Sequence, residues 1–190
     1  MASFIGEFFR NPAVVGSLVP SSPELTAQVM APIDFGRAGC IVEYGPGTGV
    51  FTEALLQRRR PETRIVLIEV NRRFCQLLQE RYAAHVGVHI IHGSADRTAE
   101  YLQALGLTAA DYVVCGLPFS SLPRRLGWRV LAHTREVLLP AGRLILFQYS
   151  ERNRRLFERF FRLEGHEHVL LNLPPAHVFT YAPAAEAPAV

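Results

Sequence analysis

Ile41-Val42-Glu43-Tyr44-Gly45-Pro46-Gly47-Thr48-Gly49-Val50-Phe51-Thr52 is the stretch that decides the fold. An apolar, β-branched run enters three glycines at alternate positions, and a stretch of helical periodicity leaves them. That is a buried strand turning tightly into a helix. The dinucleotide fingerprint needs its third glycine one position later, where Val50 stands, so a diphosphate-binding turn is disfavoured.

The same alternation continues outward. Short β-branched runs at 39–44, 64–70, 88–92, 111–116, 143–149, 168–172 and 178–181 read as seven strands. Apolar residues three or four apart mark helices over 51–59, 72–84, 99–105 and 128–138. Helices between the first five strands imply parallel pairing with crossovers, an α/β layout. The last two strands are joined only by Leu173-Pro174-Pro175-Ala176, too short for a crossover, and are expected to pair antiparallel. An Arg-rich amphipathic helix is predicted just before them, over 152–163.

Residues 1–38 precede the sheet and are not needed by it. Phe4, Ile5, Phe8 and Phe9 recur at helical spacing. A second helix is predicted to start after Ser22, with Ser22 as N-cap, Pro23 at the first helical position and Glu24 in the first turn. The expected organisation is a helical cap or membrane-contact segment over 1–38, a sheet domain over 39–182, and a loose Ala/Pro-rich tail over 183–190.

Composition narrows the chemistry. With 190 residues, 49% of them apolar, the chain suits one full-sized core. All 20 of its Lys+Arg positions are Arg, which excludes Schiff-base lysines and the P-loop phosphate clamp. The net charge of +3 is a mild bias toward anionic partners. Cys40, Cys75 and Cys115 are widely spaced among apolar residues and read as buried reduced thiols, so no metal is expected and a cytoplasmic setting is the default. No apolar run approaches the roughly 18 to 20 residues of a membrane span, and the N-terminus lacks a signal-peptide layout. A soluble or peripheral protein is expected, and the oligomeric state is left open.

Gly-x-Gly-x-Gly after an acidic strand resembles the nucleoside-binding loop of class I S-adenosylmethionine-dependent methyltransferases. The resemblance implies a Rossmann-like seven-stranded sheet of order 3-2-1-4-5-7-6 with one antiparallel strand, and S-adenosylmethionine as cofactor. Gly45, Gly47, Thr48 and Gly49 would let the backbone approach the methionine part, with Glu43 taking its ammonium. Glu69 closes the next strand, 20 residues after Gly49, where a carboxylate can accept both ribose hydroxyls, with Val70 beside it. Ala95 and Asp96, in Gly93-Ser94-Ala95-Asp96 after the third strand, fall where this family reads the adenine amino group.

Acceptor choice is expected in Val114-Cys115-Gly116-Leu117-Pro118-Phe119-Ser120-Ser121-Leu122-Pro123, after the fourth strand. The glycine loop also resembles that of rRNA adenine dimethyltransferases, whose acceptor loop reads Asn-Leu-Pro-aromatic; Gly116 stands here where that asparagine would be. Those enzymes also carry a further RNA-binding domain, so nucleic acid is disfavoured. The combination with Phe8-Phe9-Arg10-Asn11-Pro12, Val15-Gly16-Ser17, Pro20-Ser21-Ser22 and Asn172-Leu173-Pro174-Pro175-Ala176 resembles the small bacterial phospholipid N-methyltransferases. That family converts phosphatidylethanolamine to phosphatidylcholine, which implies a peripheral enzyme on an anionic membrane surface. The carbonyls of Gly116 and Leu117 would then hold the amine, and the ring of Phe119 would stabilise its growing charge. Arg10 would meet the head-group phosphate, Ser21 and Ser22 would hydrogen-bond either the cofactor carboxylate or that phosphate, with Ser22 also capping its helix, and Tyr181 would face the acceptor.

Overall fold

The computed structural model describes residues 21–185. Seven strands form one sheet: β1 (Cys40–Tyr44), β2 (Arg64–Glu69), β3 (Val88–His92), β4 (Ala110–Cys115), β5 (Leu138–Gln148), β6 (Phe161–Val169) and β7 (Ala176–Pro183). Their order is β3-β2-β1-β4-β5-β7-β6, as expected from the sequence. The first five strands run parallel, and β7 lies antiparallel to both of its neighbours. The helices are α1 (Pro23–Met30), α2 (Val50–Arg58), α3 (Arg72–Tyr82), α4 (Thr98–Ala104), α5 (Arg124–Val137) and the single turn α6 (Arg154–Phe157).

Period-two alternation sorts the strand side chains onto two apolar faces. Val42, Tyr44, Val66, Ile68, Leu144, Leu146, Phe179 and Tyr181 meet α4, α5 and the phenylalanines around α6. Ile41, Ile65, Leu67, Val114, Ile145 and Val178 meet α1, α2 and α3. Strands buried on both faces explain the near-continuous apolar runs in the sequence.

The last third departs from expectation. The helix predicted over 152–163 shrinks to α6, and the chain is already extended at Phe161. Phe157, Phe160 and Phe161 are all fully buried, and serving one core with adjacent Phe160 and Phe161 suits a chain leaving its helical turn. From Phe161 onward Arg162, Glu164, Glu167 and His168 are exposed, as befits an edge strand that must resist further pairing. The strand expected at 168–172 therefore ends at Val169, and residues 170–175 form the hairpin turn to β7.

Both ends of the described chain are tied down. The helix expected after Ser22 is α1, and the Leu25 amide donates to Ser22 Oγ (3.1 Å). Leu25 and Val29 are fully buried against the sheet, so α1 shares its core. The expected loose tail is fixed at its start: Pro183 pairs with Phe161, and Arg135 donates two hydrogen bonds to the Ala184 carbonyl (2.7 and 3.1 Å). The expected helix around Phe4 to Phe9 and the end of the tail, 186–190, lie outside the described residues.

Candidate active site

The turn after β1 carries the chemistry. Gly45, Gly47 and Gly49 all have left-handed backbone (φ 66°, 56° and 89°). At Gly49 a Cβ would stand 2.8 Å from Tyr82 Cε2, so glycine is required there for close packing as well as for backbone angle. At Gly47 a Cβ would meet nothing within 4 Å, so the turn presents bare backbone to open space.

Two buried carboxylates face this turn. Glu43 is 1% exposed, and its Oε2 accepts from Thr52 Oγ1 (2.7 Å) on α2. Its Oε1 is buried with no partner among the described residues. Burial raises the Glu43 carboxyl to about 8, against the Thr52 hydrogen bond, with Glu69 adding repulsion. Glu69, also 1% exposed, accepts from the Gly47 amide at Oε2 (3.1 Å) and from the Asn71 amide at Oε1 (2.8 Å). Burial raises its carboxyl too, although those backbone donors oppose the shift. Two desolvated acids at one turn, one with an orphaned oxygen, form a site for a cation that also offers hydroxyl donors. S-adenosylmethionine, with an ammonium, a sulfonium and two ribose hydroxyls, has that donor set.

The other residues expected around the nucleoside lie at the same strand ends. Val70 follows Glu69, and its carbonyl is 3.0 Å from His92 Nε2. Ala95 is buried, and Asp96 beside it is held by Arg129 Nη2 at 2.6 Å, so α5 fixes its carboxylate. Thr48 is exposed, and its carbonyl accepts from Arg81 Nη1 (3.0 Å).

The loop after β4 abuts the glycine turn. The Gly116 amide donates to the Tyr44 carbonyl (3.1 Å), and a Cβ at Gly45 would sit 3.1 Å from Leu117 Cδ2. A Cβ at Gly116 would stand 2.9 Å from Phe147 Cε1. A side chain at position 116 would thus collide with the ring of Phe147, which also meets Tyr149 edge-on at 6.0 Å.

Two expectations about this loop are corrected. The Leu117 carbonyl already accepts from the Phe119 amide (3.0 Å) and from Gln148 Nε2 (2.8 Å), so both its lone pairs are used and it is not free to take an amine. No hydrogen bond is made to the Gly116 carbonyl among the described residues. Phe119 is 5% exposed and packs edge-on against Phe157 (5.0 Å), inside the core rather than on an open wall. Phe147, near the end of β5, is the ring that stands against Gly116, and Tyr149 just after the strand packs on Phe147.

Tyr181 is likewise corrected. It is fully buried, its ring packs against Phe157 and Phe161, and it belongs to the core. Ser22 is the helix cap. Its amide donates to Asn172 Oδ1 (3.0 Å), and Asn172 Nδ2 donates to the Pro174 carbonyl (2.6 Å). The start of α1 and the Asn-Leu-Pro-Pro segment, 150 residues apart in sequence, thereby meet. Ser21 is half-buried next to them, and Arg10 lies outside the described residues. Gln148, Phe147 and Asn172 were missed from sequence. The available signal was a polar side chain closing an apolar run, in Leu144-Ile145-Leu146-Phe147-Gln148 and in Leu170-Leu171-Asn172.

Glu151, His166 and His177 each bring one ligand atom within 4.8 Å of the others. His166 Nε2 and His177 Nδ1 are 3.0 Å apart, a hydrogen-bonding distance, so the imidazoles satisfy each other.

Comparison with known proteins places the chain. Residues 41–142 match the family model described as a methyltransferase domain. Ornithine lipid N-methyltransferase of Singulisphaera acidiphila is 32% identical over 180 residues, covering 93% of this chain and 92% of that protein. Ribosomal RNA small subunit methyltransferase A of Dehalococcoides mccartyi is 27% identical over 92 residues, covering 48% of this chain and 30% of that protein. Among solved structures, the N-methyltransferase NodS of Bradyrhizobium japonicum, in complex with S-adenosyl-L-homocysteine, superposes with a TM-score of 0.70 at 14% identity, covering 95% of this chain and 92% of that one. The chain belongs to the methyltransferase-domain family, as an S-adenosylmethionine-dependent enzyme of class I fold.

Proposed function

We infer that the protein methylates the amine of a membrane lipid. S-adenosylmethionine supplies an electrophilic methyl group on its sulfonium. Glu43 takes the amino-acid ammonium at Oε1, Glu69 accepts the ribose hydroxyls, and Asp96, steadied by Arg129, receives the adenine amino group. The Gly116 carbonyl orients the acceptor amine. Phe147 and Tyr149 offer ring faces to the cation that grows as methyl groups are added.

One observation carries the reading: the similarity to a lipid N-methyltransferase runs almost end to end, through α1 and the β6–β7 hairpin, whereas the ribosomal RNA enzyme is matched over about half the chain. The bare Gly116 supports it, since it removes the side chain with which the adenine-specific loop would read a base. Phosphatidylethanolamine is the acceptor implied by the sequence resemblance. An ornithine head group presents a primary amine of the same kind, and both are proposed substrates. A peripheral association with anionic membrane follows from such substrates, and no described helix is long and apolar enough to cross a membrane.

The test is incubation with labelled methyl donor and, in parallel, vesicles containing phosphatidylethanolamine, vesicles containing ornithine lipid, and ribosomal RNA. Label in either lipid is the expected result. Label in RNA alone overturns the reading.

A further inference from the structure

We propose that the tip of the β6–β7 hairpin is a membrane-insertion loop whose leucines enter the acyl boundary of an anionic bilayer. The proposal rests on the lipid reading above and assigns the surface that delivers the site to its substrate. Leu170, Leu171 and Leu173 are 68%, 74% and 73% exposed. Of the six large hydrophobic residues exposed among the described residues, these three and Tyr149 gather at this end of the sheet.

The tip is built to face outward. Asn172, set among the leucines, is 4% exposed and spends its side chain on the Ser22 amide and the Pro174 carbonyl. Polar-in and apolar-out is the reverse of what water selects in a surface turn, and it suits a loop whose outside is hydrocarbon. The hydrogen bonds from Ser22 to Asn172 and from Asn172 to Pro174 anchor this arrangement to the start of α1.

Position and charge agree with a lipid surface. His177, four residues beyond Leu173, pairs with Gln148, and Gln148 Nε2 holds the Leu117 carbonyl of the acceptor loop. The tip therefore projects from the edge of the sheet that carries Glu43, Glu69 and Gly116. Glu151 Oε1 lies 4.0 Å from His177 Nδ1, which brings the segment after β5 to the same edge. Arg152 and Arg155 on that segment are exposed and make no ion pair among the described residues, leaving two cations free for lipid phosphate.

The experiment compares the full chain with its L170S/L171S/L173S variant in sedimentation with phosphatidylglycerol/phosphatidylethanolamine vesicles. Turnover of a short-chain aminolipid below its micellar concentration is measured alongside. At least a tenfold loss of vesicle binding with unchanged turnover of the dispersed lipid is expected. Leu171→Cys labelled with an environment-sensitive fluorophore gives a second reading, since the native cysteines are all buried, and its emission should shift blue on adding vesicles. Wild-type vesicle binding by the triple variant, or no blue shift, overturns the proposal. A concentration-dependent dimer of the wild type that the variant abolishes would assign the patch to a second copy and also overturn it. Vesicle insertion without methylation of any lipid would leave the tip's role intact and sink the lipid-substrate reading instead.

Discussion

Glu43 gives the sharpest expectation, because its burial makes cofactor affinity a function of pH. With its carboxyl raised to about 8, Glu43 is about 1% ionised at pH 6 and about 10% at pH 7 in the cofactor-free protein. The ammonium proposed for Oε1 selects the ionised form. Binding then releases close to one proton below pH 7, and affinity for S-adenosylhomocysteine should climb by about tenfold from pH 6 to pH 7. The rise levels off above about pH 8, where the carboxyl is ionised in the cofactor-free protein as well. Isothermal titration in two buffers of different ionisation enthalpy reads the released proton directly. Glu43→Gln keeps the shape but removes the charge. It should weaken binding by about 1.5 to 3 kcal/mol, the range for a hydrogen bond to a charged group, and flatten the pH dependence. The same substitution should stabilise the cofactor-free fold at pH 8. A carboxyl that is raised on folding binds more protons folded than unfolded, so its contribution declines as pH rises from about 4.5 to 8, and the variant lacks that decline. A flat affinity profile for the wild type, or a steep one retained by Glu43→Gln, would refute the ammonium assignment.

Other expectations follow from single contacts. Glu69→Gln leaves one acceptor oxygen for the two amides of Gly47 and Asn71, so denaturant titration should show a loss of about 1 to 3 kcal/mol and calorimetry a drop in nucleoside affinity; unchanged affinity would contradict the ribose assignment. Gly116→Ala forces a Cβ to 2.9 Å from Phe147, an overpacking of about 1 to 3 kcal/mol at the acceptor loop. Methyl transfer should fall, and the lost stability should return in denaturant titration when Phe147→Leu is added; stability that does not return would mean that the ring is not the obstacle. Asn172→Ala unties Ser22 from the hairpin and should lower stability by about 1 to 3 kcal/mol in chemical denaturation, with no change expected if those hydrogen bonds are dispensable.

The first two thirds of the fold were legible because the central parallel strands are apolar on both faces and helical periods lie between them, as in Arg64–Glu69 followed by Arg72–Tyr82. The strand order was implied by the resemblance of the glycine loop, with the acid at the end of β2, to class I methyltransferases. The final third was not legible in the same way. Arg152 to Leu163 has helical spacing of charges, but the helix ends at Phe157, and Phe160 and Phe161 enter the core as the chain turns into β6. Within the site, Glu43 and Glu69 could be named from their place at strand ends, whereas their depth could not, since exposure at a strand end depends on what the following turn covers. The failures at Leu117 and Phe119 have one cause. A loop sequence gives residue types without saying which carbonyl a distant Gln148 will occupy or which ring a distant Phe157 will draw inward.

A crystal structure of the protein with S-adenosylhomocysteine tests the central claim most directly. The expected result is one nucleoside beside the glycine turn, its ammonium within hydrogen-bonding distance of Glu43 Oε1 and its ribose hydroxyls on Glu69. A nucleoside bound elsewhere, or one whose ammonium and ribose avoid both carboxylates, would contradict it.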